Sequence, residues 1–129
     1  MGHSRPIQRV LFLCEHNRSR SATVERLFCK WPDLDVRSAG TNEDALVRVN
    51  RRMLDWADVV FTMEPAQQRA LQHMFPSHPG LKKLVCLEIP DDFAFLHPEL
   101  VELLKERVTP HLTHPRRAPG GEQRRAENE

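Results

Sequence analysis

Four short apolar runs punctuate this chain, and between them the apolar residues fall at helical spacing. Val10 to Leu13 is a continuous apolar run of the kind shown by a parallel strand buried on both faces. After it, Val24, Leu27, Phe28 and Trp31 recur at i, i+3, i+4 and i+7, which predicts an amphipathic helix over Ser21 to Lys30, stopped by Pro32. Leu34 to Ser38 reads as a second strand closing on Ala39-Gly40-Thr41, and a short helix is predicted around Asn50 to Asp55. Val59 to Met63 is a third strand. Glu64-Pro65 then opens a helix to about Phe75, with proline in a first-turn position where its missing N–H costs nothing. Residues 76–80 read as a loop and Leu84 to Leu87 as the fourth strand. A last helix is predicted from Pro98 to about Leu112 on the stripe Leu100, Val101, Leu104 and Val108.

Strands alternating with helices imply a parallel sheet, because parallel neighbours need crossover connections and these are right-handed. The predicted architecture is therefore an α/β three-layer domain with a four-stranded parallel sheet and helices on both faces. With 129 residues and 40% hydrophobic content, the chain fits one such domain, placed at 8–112. From Thr113 onward no large apolar residue remains, so 113–129 is expected to be a disordered polar tail.

Charge narrows the partners. The formal net charge is +1, from 19 basic and 18 acidic residues, so no global field points to nucleic acid or to an anionic membrane. Attraction to an anion must be local. The cysteines at 14, 29 and 86 form neither a C-x-x-C pair nor a zinc knuckle, which suits reduced intracellular thiols, with Cys29 and Cys86 expected in or near the core. No apolar stretch reaches the roughly 18 residues of a membrane span, and the first residues do not form a signal peptide. A soluble cytoplasmic protein is expected. Among the histidines, His111 and His114 are the closest helical pair, but no third ligand stands at a convincing spacing, so no metal is expected.

In an open parallel sheet, ligands bind at the carboxyl ends of the strands. The stretch Cys14-Glu15-His16-Asn17-Arg18-Ser19-Arg20-Ser21 follows the first strand and feeds the N-terminus of the first helix, where unpaired N–H groups and the positive dipole end favour an anion. A loop with its amides curled inwards adds a nest for the same anion. Such a setting favours the thiolate of Cys14, the nucleophilic form. Arg20, six positions on, offers a planar fork to two phosphoryl oxygens, and Ser21 can cap the helix or donate to the thiolate. Together they suit phosphoryl transfer.

These residues resemble the C-x5-R-S phosphate loop of the low-molecular-weight protein tyrosine phosphatases. Asn17 matches the family's loop asparagine, which takes a left-handed backbone conformation, and Ser38-Ala39-Gly40-Thr41 is similar to the second-strand ending whose serine supports it. Ala57 to Glu64 resembles the segment around the third strand, and Ile89-Pro90-Asp91-Asp92-Phe93 resembles the late acid loop. The resemblance runs from about Val10 to Leu112. It implies Cys14 as nucleophile, Arg20 as phosphate clamp and Asp91 as general acid, then base. It also implies phosphate contacts from Glu15, His16, Asn17, Arg18, Ser19 and Ser21, an apolar wall at Phe93, and loop support from Asn17, Ser21 and Ser38. No cofactor is implied. The partners implied are a phosphorylated protein or a small phosphate ester, with inorganic phosphate as a competitive ligand.

Several positions depart from the family's pattern. His16 replaces a glycine, a strain if that site needs positive φ. Arg18 replaces an apolar rim residue and reads either as a solvated charge or as a contact to a more anionic substrate. Ser19 stands where many members carry a second, protective cysteine. Asp92 replaces a proline and Phe93 a tyrosine. Asp91 is preferred to Asp92 as the acid because it follows Pro90. The stretch from Thr41 to Trp56 is short, which implies a shallower cleft. Protein phosphotyrosine is the first substrate expectation, and a phosphoarginine or small-molecule phosphatase is an alternative. An arsenate reductase, which usually relays a disulfide through two late cysteines, and a non-catalytic phosphate-binding module are the other readings.

Overall fold

The computed structural model describes residues 7–17, 19–90 and 92–112. Its sheet is formed by β1 (Gln8–Cys14), β2 (Leu34–Gly40), β3 (Val59–Thr62) and β4 (Leu84–Cys86), and its helices are α1 (Ser19–Phe28), α2 (Arg51–Trp56), α3 (Pro65–Met74) and α4 (Pro98–Val108). All pairings are parallel, in the order β2-β1-β3-β4, with Cys14 opposite Gly40 and Leu13 opposite Thr62. The predicted α/β architecture is the one observed. The chain runs outward from β1 to β2 and returns to β3 on the other side, so the strand order switches at β1, and a crevice opens at its carboxyl end.

The alternation of side chains along β1 builds two cores. Val10, Phe12 and Cys14 face the layer of α1 and α4, where they pack with Val24, Phe28, Leu100, Leu104 and Val108. Leu11 and Leu13 face the layer of α2 and α3 and pack with Leu54 and Leu71. A strand buried on both faces reads as an unbroken apolar run, which is what the sequence shows at β1. Phe12 anchors the first core. Its ring lies nearly parallel to those of Phe61 and Phe28, with centroids 5.0 and 6.2 Å away. The exposed His111 meets the Phe61 ring edge-on at 5.7 Å.

Local chemistry accounts for the boundaries that differ from expectation. The first helix begins at Ser19, two residues earlier than predicted, which puts Arg20 inside its first turn. Asn50 caps α2 by accepting from the Met53 N–H at 3.0 Å. The last two residues of the expected loop, Pro79 and Gly80, instead open a 3-10 helix, Pro79–Lys83, capped by His78, whose Nδ1 accepts from the Gly80 N–H at 2.8 Å while its Nε2 meets Asp55 Oδ1 at 2.8 Å. An acceptor Nδ1 requires the proton on Nε2, so Nε2–H donates to Asp55. The last helix stops at Val108 and continues as a 3-10 turn, Thr109–His111, because Pro110 has no N–H for the next helical bond. The tail expectation for 113–129 lies outside the described residues. No helix among the described residues is long and apolar enough to cross a membrane.

Candidate active site

The segment after β2 braces the loop after β1 from outside. The carbonyls of Cys14, Glu15 and His16 accept, in turn, from the N–H groups of Thr41 (3.0 Å), Asn42 (2.9 Å) and Leu46 (3.2 Å). In a trans peptide the C=O and the following N–H point in opposite directions. Three carbonyls bonded outward therefore turn the N–H groups of Glu15, His16 and Asn17 toward the inside of the loop. At Asn17 this is seen directly, since its N–H donates to Cys14 Sγ at 3.0 Å. Asn17 has φ 58°, the left-handed conformation that closes the turn and that asparagine tolerates better than most residues. His16 is not among the described residues with positive φ, so the strain considered for it does not arise.

Gly40 makes the brace possible by close approach. A Cβ placed there would lie 2.5 Å from Ala45 Cβ, 2.7 Å from Glu15 O and 2.9 Å from Asn17 N. Only a residue without a side chain lets β2 run this near the loop.

Arg20 does not lie along the rim. Only 2% of it is exposed, and it is among the largest fully buried side chains. A buried cation needs partners. They include the carboxylate of Glu64 (Nη1 to Oε1, 2.9 Å) and the carbonyl of Ile89, which accepts from Nη1 at 2.8 Å. Glu64 is the N-cap residue of α3, tied to the buried Gln67, whose Oε1 accepts from the Glu64 N–H at 2.7 Å. The hydrogen bond from Arg20 is the main reason the Glu64 carboxyl is held below its ordinary value, against an opposing effect of burial. Ile89 in turn is fixed by its N–H to Met63 O (2.7 Å). The guanidinium thus ties α1, the start of α3 and the chain after β4 together.

The remaining predicted positions are spread around this centre. Ser38 does not take the expected role: its hydroxyl donates to Glu25 Oε1 at 2.6 Å, which fastens β2 to α1 rather than to Asn17. Glu15 and His16 stand on the rim, where His16 Nδ1 lies 2.7 Å from Asp44 Oδ1 and its Nε2 lies 3.7 Å from Glu15 Oε1. Phe93 is half-buried: it packs against the core cluster that includes Cys14, with its ring 5.4 Å from that of His97. Exposed apolar side chains on the segments around the loop include Leu46 (70% exposed), whose N–H meets His16 O, its neighbour Val47, and Phe95 (48%) beside Leu96, whose N–H donates to Thr23 Oγ1 on α1. Cys86 is half-buried, but Cys29 is exposed, not near-core, because it follows the end of α1 and its Sγ turns back to Arg26 O. Arg18 and Asp91 lie outside the described residues, while the backbones of Ser19 and Ser21 occupy the first turn of α1.

Sequence reasoning misses Glu64, Gly40 and Leu46 as parts of the site. For Glu64 a signal exists. It follows the predicted third strand immediately, at the same sheet edge as Cys14. For Gly40 only its place at the end of a predicted strand is available, and for Leu46 nothing in the local pattern marks it.

The four-stranded parallel sheet of order 2-1-3-4, flanked by helices, has the fold of the low-molecular-weight protein tyrosine phosphatases. Among solved structures, the tyrosine phosphatase Wzb from Escherichia coli K30, in complex with phosphate, superposes with a TM-score of 0.67 at 18% identity, covering 81% of this chain and 96% of that one. The YwlE arginine phosphatase from Geobacillus stearothermophilus gives 0.66 at 21% identity, with 84% and 95% covered. The low-molecular-weight protein tyrosine phosphatase SP-PTP from Streptococcus pyogenes gives 0.60 at 14% identity, with 75% and 83% covered. At such identities the likeness is one of fold. No protein-family model and no curated protein matches the sequence.

Proposed function

We propose that this chain is a cysteine-dependent phosphatase that hydrolyses phosphate monoesters, with protein phosphotyrosine as its substrate. The observation that carries the reading is the loop itself: three inward-turned amides, one of them on Cys14 Sγ at 3.0 Å, with the buried Arg20 guanidinium behind. An N–H donated to sulfur stabilises a thiolate, and amides that converge on one point suit the equatorial oxygens of a transferring phosphoryl group.

In the first step the Cys14 thiolate attacks phosphorus in line. The S–P bond forms, the ester P–O bond breaks, and Asp91 gives its proton to the leaving oxygen. In the second, Asp91 takes a proton from water, the water oxygen attacks phosphorus, and the S–P bond breaks to release inorganic phosphate and the thiolate. The assignment of Asp91 rests on its sequence position, two residues after the Ile89 carbonyl that Arg20 holds. Arg20 and the amides carry the developing negative charge throughout. The exposed Leu46 and Phe95 give an aromatic leaving group apolar surface to lie against.

A second reading, phosphoarginine, is favoured by the exposed carboxylates of Glu15 and Asp44 on the rim, which suit a guanidinium; an arginine phosphatase also stands among the fold neighbours. The test is hydrolysis of an aryl phosphate by the wild type, Cys14→Ser and Asp91→Asn, followed by phosphotyrosine and phosphoarginine peptides. Turnover lost in Cys14→Ser and strongly reduced in Asp91→Asn is expected. Equal inertness of all three, with phosphate still bound, would replace the enzyme by a binding module, and a preference for phosphoarginine would move the substrate.

A further inference from the structure

We propose that Glu64 is the positioning residue that aims the Arg20 guanidinium, so that its carboxylate sets the rate of turnover more than it sets the affinity for phosphate. This rests on the phosphatase reading above and adds to it a residue that acts through Arg20 rather than on the substrate.

Burial makes Arg20 depend on its partners. At 2% exposure its cation has lost its water, and a charge-assisted bond to Glu64 at 2.9 Å replaces it. The Ile89 carbonyl accepts at the same nitrogen, Nη1, from a different element of the fold. Two acceptors, from the start of α3 and from the chain after β4, converge on one corner of a planar group and so fix both its position and its plane. Glu64 is itself held in place. Gln67, 2% exposed, takes its N–H at 2.7 Å and brings Nε2 to 3.4 Å from its Oε1. The order of support runs from Gln67 to Glu64 to Arg20.

The same carboxylate has an opposite effect on anion binding. Being negative and 2.9 Å from the guanidinium, it offsets part of the positive potential that Arg20 offers to a phosphate dianion. Orientation and potential therefore respond in opposite senses when the charge is removed. A residue that merely holds the fold together would move both in the same sense.

The experiment compares wild type, Glu64→Gln and Glu64→Asp by kcat on an aryl phosphate, by inhibition with inorganic phosphate and by thermal midpoint. Glu64→Gln keeps the shape and loses the charge, and should lower kcat about tenfold while phosphate binds as well as before or better. Glu64→Asp keeps the charge but is one methylene short, and should lower kcat without tightening phosphate. Turnover in both variants within about threefold of wild type would overturn the proposal. So would parallel losses of kcat, phosphate affinity and thermal midpoint, which mark a structural role. If the wild type itself hydrolyses nothing, the phosphatase reading fails first; phosphate titration calorimetry then decides the electrostatic half, which falls if Glu64→Gln binds phosphate more weakly than wild type.

Discussion

Gly40→Ala adds one methyl group at the point where β2 passes the loop that follows β1. The new Cβ meets three atoms at 2.5, 2.7 and 2.9 Å, where ordinary contact begins at 3.4 Å. Two of the three, Glu15 O and Asn17 N, are backbone atoms of the loop, and the third, Ala45 Cβ, precedes the residue whose N–H braces His16 O. No flexible side chain is available to give way. Relief requires a shift of about 1 Å in either the loop or its brace, and overpacking of this kind costs about 1–3 kcal/mol. For a chain of this size each kcal/mol lowers the thermal midpoint by about 4 °C. The kinetic effect should be larger, because a misplacement of about 1 Å in a catalytic constellation costs about 100-fold in rate.

The assay is kcat/KM on an aryl phosphate, read beside a thermal melt. Gly80→Ala is the matched control. Its Cβ would lie 3.0 and 3.2 Å from the His78 ring and 3.2 Å from Leu54 O, so it is also crowded, but these neighbours belong to the 3-10 helix cap and to α2 rather than to the loop. It should cost stability with little change in turnover. The close-approach role of Gly40 is refuted if Gly40→Ala keeps kcat/KM within about threefold of wild type, or if Gly80→Ala loses as much of it as Gly40→Ala does.

Two further outcomes test the fold and its electrostatics. Phe12→Ala empties the stack between Phe28 and Phe61 and should cost about 3–5 kcal/mol in equilibrium denaturation; a loss below about 1 kcal/mol would mean that the first core does not depend on it. The Glu64 carboxyl is depressed below its ordinary 4.5 by Arg20, so its contribution to stability is present above that value and is lost as pH falls through the depressed one. The difference in thermal midpoint between wild type and Glu64→Gln should therefore be full at neutral pH and shrink below pH 4.5, and a difference that stays constant across that window would contradict the ion pair.

The elements easiest to read are those whose information is local. β1 is visible as an unbroken apolar run because both its faces are buried, and α1 because Val24 and Phe28 face a single core. The placement of Cys14 follows from the strand and the loop alone. What the local pattern cannot carry are contacts that join distant segments. Ser38 sits in the expected motif, yet its hydroxyl goes to Glu25, 13 residues away on α1, where that carboxylate meets it at 2.6 Å. Phe93, in the expected acid-loop motif, is half-buried and packs against the core of α1 and α4. At Ser38 the motif locates the backbone, and a contact from a distant segment chooses the direction of the side chain.

The supports that the local pattern hides nevertheless follow a rule that the predicted topology already contains. In an all-parallel sheet every strand delivers its next residues to the same edge. Here β1 ends at Cys14 and β2 at Gly40, while Glu64 and Ile89 come shortly after the ends of β3 and β4. Each contributes one part of the site: thiol, close-approach glycine, counter-charge and carbonyl anchor. Spacing along the chain gives no hint of this, because the residues meet only once the strands are laid side by side. Arg20 touches two of these strand-end segments at once, through Nη1 to Glu64 and to Ile89. A guanidinium buried at that junction registers any displacement of the chain after β3 against the chain after β4, which is why a carboxylate that acts only through Arg20 is expected to govern turnover.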